Sequence, residues 1–277
     1  MKKIILLTIL FLNGFLYAVD IESVQANNAF FEQIGSTAAI KRTSRHGDTP
    51  QIDVPHARRR VSLEDYEWAD LVDESDKVRM LIDPTSTYAR AAAAAMGRSM
   101  DDVIITALGG SASTGVSGGT STALPSAQKP FSSSQSDGMT VAKLLEAKKL
   151  MDLADVDPSL KRYVVCSPTQ ISDLLNTTEV KSSDFNTVKA LAQGSVNSFL
   201  GFEFIMSNRL SLDATNTDDR LCYAFTEDAI KLAVGKDVQA KISERADKSY
   251  STQVYYCMSI GAVRMEEVKV VEIACDE

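Results

Sequence analysis

The sequence predicts an α+β fold, and three stretches carry that expectation. Residues 85–108 (TSTYARAAAAAMGRSMDDVIITAL) are alanine-rich and free of proline, the composition of a long helix. The second half of the chain alternates apolar, strand-like runs with shorter helical ones, as in KRYVVCSP followed by PTQISDLLNTTEV. Residues 41–72, ahead of the long helix, read as a charged ribbon with no core of its own.

Residues 19–40 read as an arm ending in a short apolar piece, Ala29, Phe30, Phe31 and Ile34. Within residues 41–72, KRTSR and RRRVSLEDYEWADLV read as two strands flanking a connection with Gly47, Asp48, Pro50 and Pro55. A two-stranded ribbon is marginal alone, so this one must lie on its own body or on another subunit. Asp83 and Pro84 supply an N-cap and a first-turn proline for the helix at 85–108. That helix would be about 36 Å long at 1.5 Å per residue. Gly109 and Gly110 end it. Residues 109–138, rich in Gly, Ser and Thr, read as a surface loop with room for a small hairpin.

A second helix is expected over VAKLLEAKKLMDLADV, with Leu144, Leu145, Ala147 and Leu150 on its apolar stripe. KRYVVCSP reads as a buried strand, PTQISDLLNTTEV as a short helix opened by Pro168, and FLGFEFIMSNRL as one strand. DRLCYAFTEDAIKLAVG reads as a strand and a short helix, and STQVYYCMSIGAVRMEEVKVVEIAC as two strands separated near Gly261 and Ala262.

At 277 residues the chain can bury a sizeable core, as one elaborated domain or two small ones. A net charge of -8 argues against a generally basic nucleic-acid binder. Cys166, Cys222, Cys257 and Cys275 lie far apart with no metal-ligand spacing, and read as buried thiols, with disulfides open if the chain is exported. Residues 1–18 have the outline of a secretory signal: two lysines, an apolar run, and Ala18 at a cleavage position, with Leu16 departing from the small-residue rule. The residues alone leave export open. No other stretch is apolar enough to span a membrane.

Catalytic chemistry is not legible. Gly115-Val116-Ser117-Gly118-Gly119 matches the spacing of a nucleophile elbow but sits in a Gly/Ser loop, and both histidines, His46 and His56, precede it. GGSASTG lacks the lysine of a phosphate-binding loop. His46, Asp48, Asp53 and His56 read as a solvated or interfacial set rather than metal ligands. No cofactor is expected.

What stands out instead is charge segregation. Lys41, Arg42, Arg45, Arg58, Arg59 and Arg60 crowd one segment, and Glu64, Asp65, Glu67, Asp70, Asp73, Glu74 and Asp76 the next. Strand alternation sends Arg58 and Arg60 to one side and Arg59 to the other. That suits salt-bridged protein contacts better than a phosphate-tracking stripe. Arg42, Arg45, Arg58, Arg59, Arg60, Glu64, Asp65, Glu67 and Trp68 are therefore the candidate subunit-contact residues.

From about Val19 onward the chain resembles the major capsid protein of tailed bacteriophages with the Hong Kong 97-type fold. The resemblance rests on AFFEQIGSTAAIKRTSRHGDTPQID, PHARRRVSLEDYEWADLVD, DKVRMLIDPTSTYARAAAAAMGRSMDD and the closing strands. It implies an N-terminal arm at 19–40, an extended loop at 41–72, and a peripheral domain at 73–138 with a spine helix at 85–108 and an inserted loop at 109–138. An axial domain at 139–250 and return strands at 251–277 complete it. It further implies a structural, non-enzymatic subunit that assembles with itself, as pentamers and hexamers, into an icosahedral head enclosing double-stranded DNA. Scaffold, portal or decoration proteins would be partners, DNA contact weak and sequence-independent, and assembly in the host bacterial cytoplasm, with the virion as destination. Residues 1–18 depart from the usual polar arm. An encapsulin-like compartment and an exported, repurposed surface protein are the alternatives.

Overall fold

The computed structural model describes residues 18–25, 27–35, 37–45, 48–49, 51–73, 84–131, 137–176, 198–214 and 218–277. The signal-like segment (except Ala18), the Asp83 cap, His46, Gly47, Pro50, Glu74 and Asp76 lie outside these residues.

Three sheets and three helices make up the fold. The spine sheet has the order β1-β11-β12-β4, from β1 (Asp20–Ser23), β4 (Glu64–Val72), β11 (Ile230–Arg245) and β12 (Ser251–Arg264). The arm sheet has the order β2-β3-β5-β6, from β2 (Asn28–Ile34), β3 (His56–Ser62), β5 (Ala112–Thr114) and β6 (Thr120–Thr122). The end sheet has the order β13-β10-β7-β9-β8. Its strands are β7 (Arg162–Cys166), β8 (Ser198–Phe199), β9 (Phe202–Met206), β10 (Asp219–Thr226) and β13 (Val270–Asp276). The helices are α1 (Pro84–Gly109), α2 (Val141–Leu153) and α3 (Pro168–Asn176).

Helix α1 ties two cores together because every fourth residue from Ala92 to Leu108 is buried. Ala92, Met96 and Met100 pack on Val254, Tyr256, Met258 and Ile260 of β12, with Tyr66 and Trp68 of β4 alongside. Ile104 and Leu108 belong to the main core around the end sheet, with Tyr163, Phe202 and Phe225. A third cluster, including Phe31, Val61, Ala112 and Val263, joins the arm sheet to the spine sheet. Arg264 fixes the far end of α1. It is fully buried and donates to the carbonyls of Leu108 (2.8 Å), Gly110 (2.6 Å) and Thr122 (3.2 Å). These include helix carbonyls that have no partner inside α1. Thr140 caps α2, its side chain accepting from the Lys143 amide at 3.3 Å.

Several expectations are corrected. Residues 41–45 form no strand; the partner of β3 is β2, paired from Asn28↔Ser62 to Ile34↔His56. The RRRVSLEDYEWADLV run breaks at Leu63, and its second half, β4, leaves the ribbon to pair with β12. FLGFEFIMSNRL is a hairpin, β8 and β9, turning at Leu200 and Gly201, where φ is positive at both. The short helix expected in AIKLAVG is the start of β11, a central strand whose continuous apolar run is buried on both faces. No turn falls at Gly261. β12 runs through it to Arg264, and the glycine is needed because a Cβ there would lie 2.3 Å from the Ser62 carbonyl. Leu145 is exposed, while Met151 takes its place on the buried stripe of α2.

The sheets also group the chain differently from consecutive units at 139–250 and 251–277. That division would cut the β11–β12 hairpin and separate β13 from its neighbour β10. At the front, Ala18 and Val19 are both buried in the main core. The bond after Ala18, the cleavage position of the signal-like outline, joins two core residues. Among the described residues no helix is long and apolar enough to cross a membrane.

Candidate subunit-contact surface

The arm sheet holds up an extended excursion, residues 35–55, between β2 and β3. Residues 37–45 are exposed throughout and belong to no strand. Ile40, Ile52 and Val54 are large apolar side chains left 58%, 41% and 37% exposed. Arg42 turns back on the excursion itself: its Nε donates to the Ser44 carbonyl at 2.8 Å and its Nη2 to the Arg45 carbonyl. Lys41 and Arg45 face solvent.

The three arginines of β3 have three different fates, set by alternation. Arg58 is exposed and pairs with Glu32 across the β2–β3 ladder at 3.0 Å. Exposed pairs of this kind contribute about 0–1 kcal/mol. Arg59 turns inward and is 5% exposed. Its Nε donates to the Met265 carbonyl at 3.0 Å, and its Nη2 donates to both carboxylate oxygens of Glu267, at 2.7 and 2.8 Å. Arg59 is thus committed within its own chain, and the expectation that it contacts a neighbour is corrected. Its role is to bolt the arm sheet to the turn between β12 and β13. Arg60 faces the other way under the β5–β6 turn. A Cβ on Gly118, whose φ is +67, would lie 2.6 Å from the Arg60 side chain.

On β4, Glu64 accepts from the Tyr66 hydroxyl at 3.2 Å, and Glu67 accepts from the Tyr255 hydroxyl at 2.7 Å. Burial, then the Glu64 hydrogen bond, raise the Tyr66 pKa above its ordinary value. The Glu67 hydrogen bond does the same for Tyr255. Asp65 is exposed. Trp68 is a packing residue: it lies against the cluster beneath α1. Of the nine candidates, Arg42, Arg45, Arg58, Glu64, Asp65 and Glu67 therefore remain on the surface, Arg60 and Trp68 are half-buried, and Arg59 is buried. Alternation separates Arg59 from Arg58 and Arg60; the signal that its side is the inward one was apolar Val61, two positions on and also buried.

The chemistry-bearing residues do not converge. Ser117 and His56 are both exposed, and among the described residues no hydrogen bond joins them. The G-x-S-x-G stretch closes the β5–β6 hairpin, not a strand-to-helix elbow. Among the described residues no group of three or more His, Cys, Asp or Glu could hold a metal. All four cysteines are buried. Burial, followed by the neighbouring Cys275, pushes the Cys166 thiol up to about 12, which suppresses thiolate chemistry.

What this geometry defines is a multi-sheet body carrying an exposed excursion between β2 and β3. The phage capsid protein family matches residues 17–277, and the chain belongs to it. None of the curated proteins matches the chain. Solved structures do. The capsid of the cyanophage P-SCSP1u is similar at a TM-score of 0.70 and 15% identity, over 92% of this chain and 86% of that one. The capsid of cyanophage Pam1 is similar at 0.70 and 13%, over 95% and 91%. The head of Helicobacter pylori bacteriophage KHP40 is similar at 0.69 and 11%, over 93% and 88%. The α+β fold is that of the Hong Kong 97-type capsid proteins, and the chain is a structural capsid subunit.

Proposed function

We propose that each copy is one tile of an icosahedral phage head that encloses double-stranded DNA, and that the excursion at residues 35–55 is the extended loop lying over an adjacent tile. The observation that carries this is the excursion itself, which exposes Ile40, Ile52, Val54 and the cations Lys41, Arg42 and Arg45, and whose described residues enter none of the hydrophobic clusters. Burying such a segment on a neighbour removes apolar area from water at about 25 cal/mol per Å². In this reading α1 with the spine and arm sheets is the peripheral domain. The end sheet with α2 and α3 is the axial domain that meets its counterparts around five-fold and six-fold axes. The subunit has no catalytic role, acts in the virion after assembly in the host cytoplasm, and touches packaged DNA weakly, in a salt-sensitive way that ignores sequence. Scaffold, portal and decoration proteins would be its further partners.

The test is negative-stain electron microscopy of the purified full-length protein, with nucleic acid analysis of the particles. Closed shells of regular size that protect DNA from nuclease support the reading. Shells that carry protein cargo and no DNA favour a compartment instead, and monomers at all concentrations, with or without a co-expressed scaffold, overturn it.

A further inference from the structure

We infer that the outer edge and open face of β4 receive the basic segment 37–45 of a second copy of this chain, a step that rests on the shell reading above. β4 is an outermost strand. Among the described residues it pairs with β12 on one side only. An outermost strand leaves a row of backbone N–H and C=O groups unpaired, ready for another extended chain. One face of β4 is used: Tyr66 and Trp68 point toward α1. The other face presents Asp65, Glu67, Ala69 and Leu71, all exposed, and Asp73 just beyond the strand adds to the same charge. Lys236 of β11 feels the charges of Asp65 and Glu67, and its Nζ lies 3.0 Å from the Cys257 sulfur.

The proposed occupant matches in three respects. Residues 37–45 (TAAIKRTSR) carry Lys41, Arg42 and Arg45 and no carboxylate, and among the described residues these cations make no ion pair. Residues 37–43 belong to no strand, helix or turn, so their backbone can pair with an edge, while the carbonyls of Ser44 and Arg45 are held by Arg42. Ile40 supplies an exposed apolar side chain for Ala69 and Leu71. No hydrogen bond or ion pair joins the two surfaces within one chain among the described residues. The contact therefore joins different surfaces of identical chains, a head-to-tail arrangement that propagates around a ring. The charges would set partner and register and speed encounter more than they would add affinity.

The experiment uses full-length protein, half of it nitrogen-15 labelled, mixed under assembly conditions and treated with a zero-length carbodiimide. The expected product is a peptide pair of mixed isotope joining Lys41 to Asp65 or Glu67. In parallel, Asp65→Lys with Glu67→Lys, and Lys41→Glu with Arg42→Glu and Arg45→Glu, are each expected to lower the assembled fraction by about tenfold, and mixing the two variants to restore it. Circular dichroism checks that each variant folds, and Asp65→Lys alone spares the Glu67–Tyr255 hydrogen bond. Shells that form with Lys41 joined elsewhere, or folded variants that assemble as the parent does, overturn this inference and leave the shell reading intact. An absence of shells, rings and mixed cross-links from the parent overturns the shell reading and this inference with it.

Discussion

Arg59 and Glu267 hold each other in a place where neither is free to be solvated, with side chains 6% and 18% exposed. Breaking such a pair costs more than the pair contributes, because the surviving charge stays buried without compensation. Arg59→Ala is expected to destabilise the chain by about 3–5 kcal/mol in urea unfolding, whereas Arg58→Ala, on the exposed side of the same strand, should change stability by less than about 1 kcal/mol. Asp101 on α1 offers a second test. Burial first, and then Asp102, push its carboxyl up to about 7, against an opposing pull from Arg209. Its Oδ1 is enclosed with no hydrogen-bond partner among the described residues. The folded chain thus keeps a proton that the unfolded chain releases near pH 4, so this group's contribution is complete below about pH 4 and is lost as pH rises toward about 7. Asp101→Asn should flatten that part of the stability–pH curve and raise stability at about pH 8, as read from denaturant midpoints across pH.

Elements were legible where one local signal sufficed. Helix α1 was readable from its alanines and terminal glycines, β7 from an unbroken apolar run, and α3 from Pro168 at its first position. Elements that depend on distant partners were not. AIKLAVG is equally apolar as helix or strand, and only its seat between β1 and β12 makes it β11. KRTSR has strand-like neighbours but finds no ladder in its own chain. The contact surface was half legible for the same reason: charge segregation marked the segment, but which arginine turns inward depends on the register of β3 against β2. Gly261 was read as a turn because glycine is common in turns, when its real cause is a crossing backbone. Gly261→Ala should therefore destabilise by about 1–3 kcal/mol, with the loss seen as a lower midpoint in thermal unfolding.

At the scale of the whole molecule, the arm is separable from the body. The three hydrophobic clusters draw nothing from residues 37–54. A chain in which residues 37–54 are replaced by a short Gly/Ser turn should fold with nearly the parent midpoint and yet fail to form shells, as read by circular dichroism and sedimentation velocity. Retention of assembly in that chain would place the decisive contacts elsewhere.

The break at Leu63 has a mechanical consequence. β3 and β4 follow one another with only Leu63 between them but belong to two sheets, so a pull on the arm travels along the chain into nine consecutive pairs with β12. Those rungs are loaded together, in shear, and cannot be peeled one after another as the rungs of a hairpin tip can. A shell under internal pressure would strain each tile along the direction in which its backbone is hardest to tear.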